Sequence, residues 1–329
     1  MIHGRVVYAS PERLVAVKDG ALYESCDKGT AWQRLNRLPL GFGQRVCVSS
    51  KLLRRLLRKG VHHFCAGQRS SLIIANRDTY ELEGKGIHFA GALKGGRPLA
   101  LCGANGAFYY GEYRSNPERS PVHIWRKQEA GADWQPVWRF TGVRHVHGVF
   151  HDPYTDALWL TTGDQGEEVG IWRTQDDFET LERIVGGSQQ CRAVQLLFTK
   201  DHIYFGSDTP QEQNHIYRMD RGGKNIEPLA AVGSSVFYGC KVGEHLFFST
   251  ATEPSDVNQT RNAEVWGSGD GEKWKLLRLF KKDLWPMKYF QYGQVLFPAG
   301  PGDGANLWMT PFATAGDQRT IRVPLGKGL

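Results

Sequence analysis

The sequence predicts an all-β fold of seven four-stranded antiparallel blades, a β-propeller, and three observations carry that reading. A strand-like segment followed by a polar turn recurs along the chain; the recurrence has a period of about 47 residues; and the repeated units are rich in Val, Ile, Trp, Tyr and Gly, with only 51–59 reading as helix. The recurring segments are LYESCDKGTAW, HIWRKQEAGADW, GIWRTQDDFETL, HIYRMDRGG and EVWGSGDGEKW. Aligning Ser25, Asn76, Lys127, Thr174, Met219, Ser268 and Met309 gives intervals of 51, 51, 47, 45, 49 and 41 residues, so seven units fill the chain. A unit of this length holds four short strands, and radial stacking hides their edges. Six or eight blades are compatible with the same period. The whole chain, 1–329, reads as one propeller domain, closed by RVVYA (5–9) or IRVP (321–324) pairing with the opposite end.

With 329 residues and 40% hydrophobic content, the chain buries a large core. The start, MIHGRVVYASPERLV, lacks a basic stretch followed by an apolar one, and no run approaches the roughly 18 apolar residues of a membrane span. A soluble, cytoplasmic protein is expected. Cys26, Cys47, Cys65, Cys102, Cys191 and Cys240 lie far apart with no CxxC pair, which suits buried thiols in a reducing compartment.

The net charge of +7 is concentrated in Arg45, Lys51, Arg54, Arg55, Arg58 and Lys59. KLLRRLLRKG reads as a short amphipathic helix, with Leu52, Leu53, Leu56 and Leu57 on the packed side and Gly60 ending it. A solvated charged face is the plain reading; peripheral contact of 51–59 with an anionic membrane is the alternative. Nucleic acid is not expected as a partner, because no stacking aromatics interleave with these charges.

If the polar turns lie on one face, strand alternation puts the second-to-third-strand loops and the segments leading into each blade on the other. The loops are 111–121, 162–169, 207–214, 250–263 and 299–307; the lead-in segments are 93–100, 143–150, 187–194, 233–240 and 285–293. In RHVHGVF, His145 and His147 are two apart on an extended chain and point to the same side, toward the channel mouth. Arg144 precedes them, and Gln189, Gln190 and Arg192 follow in the next lead-in. Glu112, Tyr113, Arg119, Asp164 and Asp208 rim the same depression. The candidate catalytic residues are therefore His145, His147, Glu112, Tyr113 and Asp164, and the candidate substrate-binding residues Arg119, Arg144, Gln189, Gln190, Arg192 and Asp208. This mixture suits an acidic glycan, because arginine clamps a carboxylate bidentately and aromatics stack on sugar faces. The blander readings are histidines hydrogen-bonded within the channel and arginines paired with Asp164 and Glu112. No cofactor is required by the sequence; a divalent metal on the HxH pair is allowed.

Ser25-x-Asp27-x-Gly29-x-x-Trp32, and Ser268-x-Asp270-Gly271 with Trp274, resemble the Asp-box (BNR repeat) of sialidase-like β-propellers. Other copies are degenerate: Lys127 and Glu129 precede Trp134, and Leu181 stands where the tryptophan after Asp176 belongs. The resemblance implies a structural role for Asp27, Asp176 and Asp270 in the turn between third and fourth strands. It implies fold rather than reaction, since the Arg-Ile-Pro motif of sialidases does not occur here. The chain is also similar to the oligogalacturonate lyases in blade number, expected compartment and residue types. That likeness implies elimination beside a uronate, with a cation on the carboxylate, a His or Tyr base and an acid for the leaving oxygen. Hydrolysis would instead use two carboxylates among Glu112, Asp164 and Asp208. The expected function is cleavage of an acidic, uronic-acid-type oligo- or polysaccharide, by a lyase or glycoside hydrolase; a non-catalytic glycan- or protein-binding platform is the alternative. Oligomeric state is not legible.

Overall fold

A computed structural model describes residues 4–129, 131 and 133–326, so Ala130 and Ala132 of the third polar turn lie outside the described residues. The strands form seven antiparallel sheets, six of four strands and a last of three. Each sheet is one contiguous stretch taken in chain order: 5–37, 61–92, 102–140, 146–186, 193–231, 236–281 and 294–324. These are the seven blades of a β-propeller. The last blade has three strands because 285–293, expected to lead in as a strand, forms the short helix Met287–Phe290 after Pro286. Proline cannot donate to a ladder, which disfavours a strand there.

By internal contacts the chain falls into two compact units, residues 1–92, 240–252 and 261–329 in the first and 93–239 with 253–260 in the second. In the first unit, Arg5–Ala9 ladders with Leu14–Lys18 of its own sheet, and Tyr8 also makes an isolated parallel bridge to Ala299 near the other end of the chain. Ala9 N–H donates to Ala299 O at 2.9 Å, Ala299 N–H to Val7 O at 3.0 Å, and Val6 N–H to Thr320 Oγ1 at 3.1 Å. The expected pairing of 5–9 with the opposite end is met by this short bridge, while Ile321–Pro324 pairs with Asn306–Phe312 of its own sheet.

The repeated aliphatic–aromatic pair has a geometric meaning. In five blades the third strand slips against the fourth between Leu22 and Tyr23, Ile124 and Trp125, Ile171 and Trp172, Ile216 and Tyr217, and Val265 and Trp266. Each aliphatic member is completely buried, and the bulge re-aims the aromatic ring that follows. Asn76 does not share this place: it follows Ser71–Ala75, the second strand of its blade, whose third strand ends at Glu83.

The polar turns are built alike. Ser25 Oγ donates to Asp27 Oδ1 at 2.7 Å and accepts from Gly29 N–H, while Ala31 N–H donates to the same carboxylate at 2.9 Å. Thr174 takes the serine's place beside Asp176, and Ser268 and Asp270 repeat the pattern. The backbone amides of Lys273 and Glu272 hold the Asp270 carboxyl below its ordinary range. Replacing Asp270 by alanine should cost about 1 kcal/mol, read as a lower melting temperature; unchanged stability would mean that this turn carries no structural role.

The predicted helix is present as Lys51–Leu56, preceded by a second helix, Phe42–Ser49, but its sides are inverted. Arg55 is completely buried, whereas Leu52, Leu56 and Leu57 are exposed. The Arg55 guanidinium pairs with Asp283, donates through Nε to Phe290 O at 3.1 Å and lies 4.7 Å from the Trp285 ring centroid. All six cysteines are free; Cys102, Cys191 and Cys240 are buried, while Cys26 is exposed. No helix among the described residues is long and apolar enough to cross a membrane.

Candidate functional site

The site lies in the second unit, where blade 4 begins. Its first strand, Val146–Asp152, carries one residue too many: Val146 faces Thr162 and Gly148 faces Thr161, leaving His147 without an opposite number. This bulge swings His147 toward His145. Gly163 then reverses the chain after the second strand with φ +74°, and a Cβ there would stand 2.0 Å from Glu168 O. Only glycine permits that turn, which carries Asp164 onto the two imidazoles.

His145 Nε2 and His147 Nε2 lie 3.1 Å apart, and Asp164 Oδ1 is 3.1 Å from the first and 3.3 Å from the second. Behind each ring, Nδ1 meets a backbone carbonyl, Arg114 O at 3.3 Å for His145 and Ala193 O at 2.9 Å for His147. All three side chains are buried. The Tyr113 ring covers them, its centroid 4.3 Å from that of His145 and 6.0 Å from that of His147.

Two arginines reach the same carboxylate. Arg144 Nη1 is 2.9 Å from Asp164 Oδ2, and Arg192 Nη2 is 3.3 Å from both Asp164 Oδ1 and Asp208 Oδ2. Gln189 Nε2 donates to Asp164 O at 2.8 Å, and Asp208 N–H to Arg192 O at 2.8 Å. Asp208 Oδ1, Gln189 Oε1 and the Nε atoms of Arg144 and Arg192 are buried without a hydrogen-bond partner from the protein.

Burial divides the titrating groups. It lowers His147, keeping that imidazole neutral, and raises the Tyr113 phenol, which the Asp208 and Asp164 charges push further. Burial raises the Asp208 carboxyl to about 7 against the pull of Arg192. Between an unfolded carboxyl value of about 3.9 and about 7, the folded chain then holds a proton that the unfolded chain has lost, so this group destabilises progressively as pH rises through that window. Asp208→Asn carries no such penalty. Its melting temperature relative to the parent should climb as pH rises from about 5 to about 8, and a difference independent of pH would refute the raised carboxyl.

Of the residues singled out in the sequence, His145, His147, Asp164, Arg144, Arg192, Gln189, Asp208 and Tyr113 come together. Glu112 does not, since its Oε1 accepts from Trp125 Nε1 at 2.8 Å and lies 3.2 Å from His123 Nδ1. Its carbonyl instead accepts from Val146 N–H, joining blade 3 to the bulged strand. Arg119 is also elsewhere, bonded to Glu168 at 2.7 and 2.8 Å, and Glu168 in turn accepts from Arg144 N–H. Gln190, in the short turn Gln189–Cys191, makes none of these contacts. Of the expected arginine pairs, those of Arg144 and Arg192 with Asp164 exist; Glu112 pairs with Arg114 instead, at 3.6 Å. Glu253 is a residue the sequence reading missed, although its loop, 250–263, was among those marked. Burial raises its carboxyl against the pull of Arg192.

No family model and no curated protein matches the chain. Among solved structures it is similar to a prolyl endopeptidase, with 12% identity and a TM-score of 0.59 over 97% of this chain and 49% of that one. It is likewise similar to a chain of a mitotic checkpoint complex, with 11% identity and a TM-score of 0.54 over 97% and 88%. The chain thus spans about half the length of that endopeptidase, and at such identities the likeness is one of fold.

Proposed function

We propose that the chain is a carbohydrate-active enzyme that cleaves an acidic, uronic-acid-type oligo- or polysaccharide, and that it does so by elimination. The observation that carries this reading is the gathering of Arg144, Arg192, Tyr113 and Asp208 around the paired imidazoles. Elimination needs three services. The guanidinium groups neutralise the uronate carboxylate, which acidifies the neighbouring C5–H. Asp208, at about 7, is partly ionised near neutrality and accepts that proton. The C5–H electron pair forms the C4–C5 double bond as the C4–O bond breaks, and Tyr113, whose raised phenol keeps its proton, protonates the departing oxygen.

Hydrolysis fits less well, because its two carboxylates must flank the scissile bond. Here Asp164 and Asp208 share one guanidinium nitrogen, and Glu112 is turned away. The Ser/Thr-x-Asp turns at Asp27, Asp176 and Asp270 support kinship with Asp-box propellers.

The test is incubation with a panel of uronic-acid glycans. The expected result is the ultraviolet absorbance of an unsaturated uronate; new reducing ends without it would mean hydrolysis, and neither signal would favour a binding platform. In folded Arg192→Ala, affinity for a glycan that binds the parent should fall about tenfold or more.

A further inference from the structure

We infer that His145, His147 and Asp164 form a binding site for one divalent transition-metal ion, with the two Nε2 atoms and Asp164 Oδ1 as ligands. Three lines of geometry converge on it, none depending on the sugar reading. First, the three atoms form a nearly equilateral triangle of 3.1, 3.1 and 3.3 Å. With metal–ligand bonds of about 2.1 Å, two ligands stand about 3.0 Å apart at a right angle and about 3.4 Å apart at the tetrahedral angle. The observed edges fall between these, so one ion can cap the triangle without moving the side chains.

Second, each Nδ1 faces a carbonyl oxygen, which fixes the hydrogen on that nitrogen and leaves a lone pair on each Nε2. Two lone pairs and a carboxylate oxygen then point at one another in a buried place, an arrangement that repels itself until a cation sits among them. A ring nitrogen donating to a backbone carbonyl is also how ligating histidines are held. Third, Arg144 and Arg192 satisfy further lone pairs of Asp164, a second layer that orients the ligand oxygen. Two imidazoles with one carboxylate select zinc, manganese, iron, cobalt or nickel over magnesium and calcium, and three protein ligands leave a position for water or substrate.

The experiment uses the full chain, stripped with a chelator, dialysed and titrated with Co²⁺ without any sugar. One equivalent should bind, with visible ligand-field bands, and one equivalent of Zn²⁺ should displace it and raise the melting temperature. His147→Ala and Asp164→Asn, with unchanged circular dichroism, should bind at least tenfold more weakly. Folded parent protein that takes up no stoichiometric Co²⁺, or folded variants that bind as well as the parent, would overturn the site. Because the readout is metal content, its failure is distinct from a failure to cleave uronates.

A separate observation, in the first unit, carries a second inference. Between Asp27 and Asp78 the sequence holds eleven basic residues and no acidic one. Within that stretch the helices Phe42–Ser49 and Lys51–Leu56 expose Phe42, Val46, Leu52 and Leu56, followed by Leu57, beside exposed Arg45, Lys51 and Arg58. The structure assigns this hairpin to docking on an anionic lipid surface, with the apolar side chains entering the interface and the cations on headgroups. Arg55, locked inward by Asp283 and Trp285, fixes which side faces out.

The test is co-flotation with phosphatidylcholine vesicles, with and without about one-third phosphatidylserine. Binding should require the anionic lipid, and Leu52→Glu with Leu56→Glu should lower it about tenfold or more at unchanged melting temperature. Equal binding to neutral vesicles, an unaffected double variant, or self-association that covers these leucines would overturn the assignment.

Discussion

Replacing Arg55 with alanine lowers the stability of the chain by about 3–5 kcal/mol, the range for breaking one side of a buried ion pair. The side chain has no solvent exposure, and its guanidinium serves Asp283, the Phe290 carbonyl and the Trp285 ring together. Truncation strands a largely buried carboxylate with Lys282 and the Trp285 amide beside it and takes the guanidinium from the Phe290 carbonyl. Arg55→Met, which keeps the packed stem, should lose less. Burial works against the Asp283 charge, but Arg55 and Lys282 outweigh it and lower its carboxyl. Its contribution is therefore present above the unfolded value and fades as pH falls through the folded one. Denaturant unfolding of the parent and both variants measures this; an alanine variant as stable as the parent would show that the buried charge network does not matter.

Asp164→Asn should depress the proposed uronate turnover by about 10- to 100-fold, the span for losing the group that orients a binding residue. The amide preserves volume but not charge, so Arg144 and Arg192 lose their common anchor and the two imidazoles lose the oxygen between them. Turnover at the parent rate in a folded Asp164→Asn protein would remove this residue from the site. A variant that keeps its fold and loses both turnover and Co²⁺ would tie the proposed turnover to the oxygen that Asp164 offers the metal site.

The blades were legible because their signals are local. An aliphatic–aromatic pair makes the bulge, and Ser/Thr-x-Asp closes the following turn, both within a few residues of chain. Where a partner comes from far away, the pattern misleads. Alternation of Leu and Arg in 51–59 pointed the leucines inward, yet Asp283, 228 residues away, takes Arg55 instead. The site was legible at the level of strands: lead-in segments and loops of consecutive blades had to approach, and the pattern put both Glu112 and Tyr113 on the same rim. Which of that pair faced the histidines was not, because Trp125 and His123 settle it from the neighbouring strand. Nor could sequence supply the carbonyls of Arg114 and Ala193, since a backbone oxygen has no residue identity.

His147 is the residue that the ladder of its strand does not count, since Val146 and Gly148 face consecutive partners across it. Loss of its single codon would leave those two residues in regular register with Thr162 and Thr161 while removing one imidazole from the cluster. Losing this imidazole, with its bond to the Ala193 carbonyl, is therefore one genetic step, and regaining it asks for an insertion rather than a substitution.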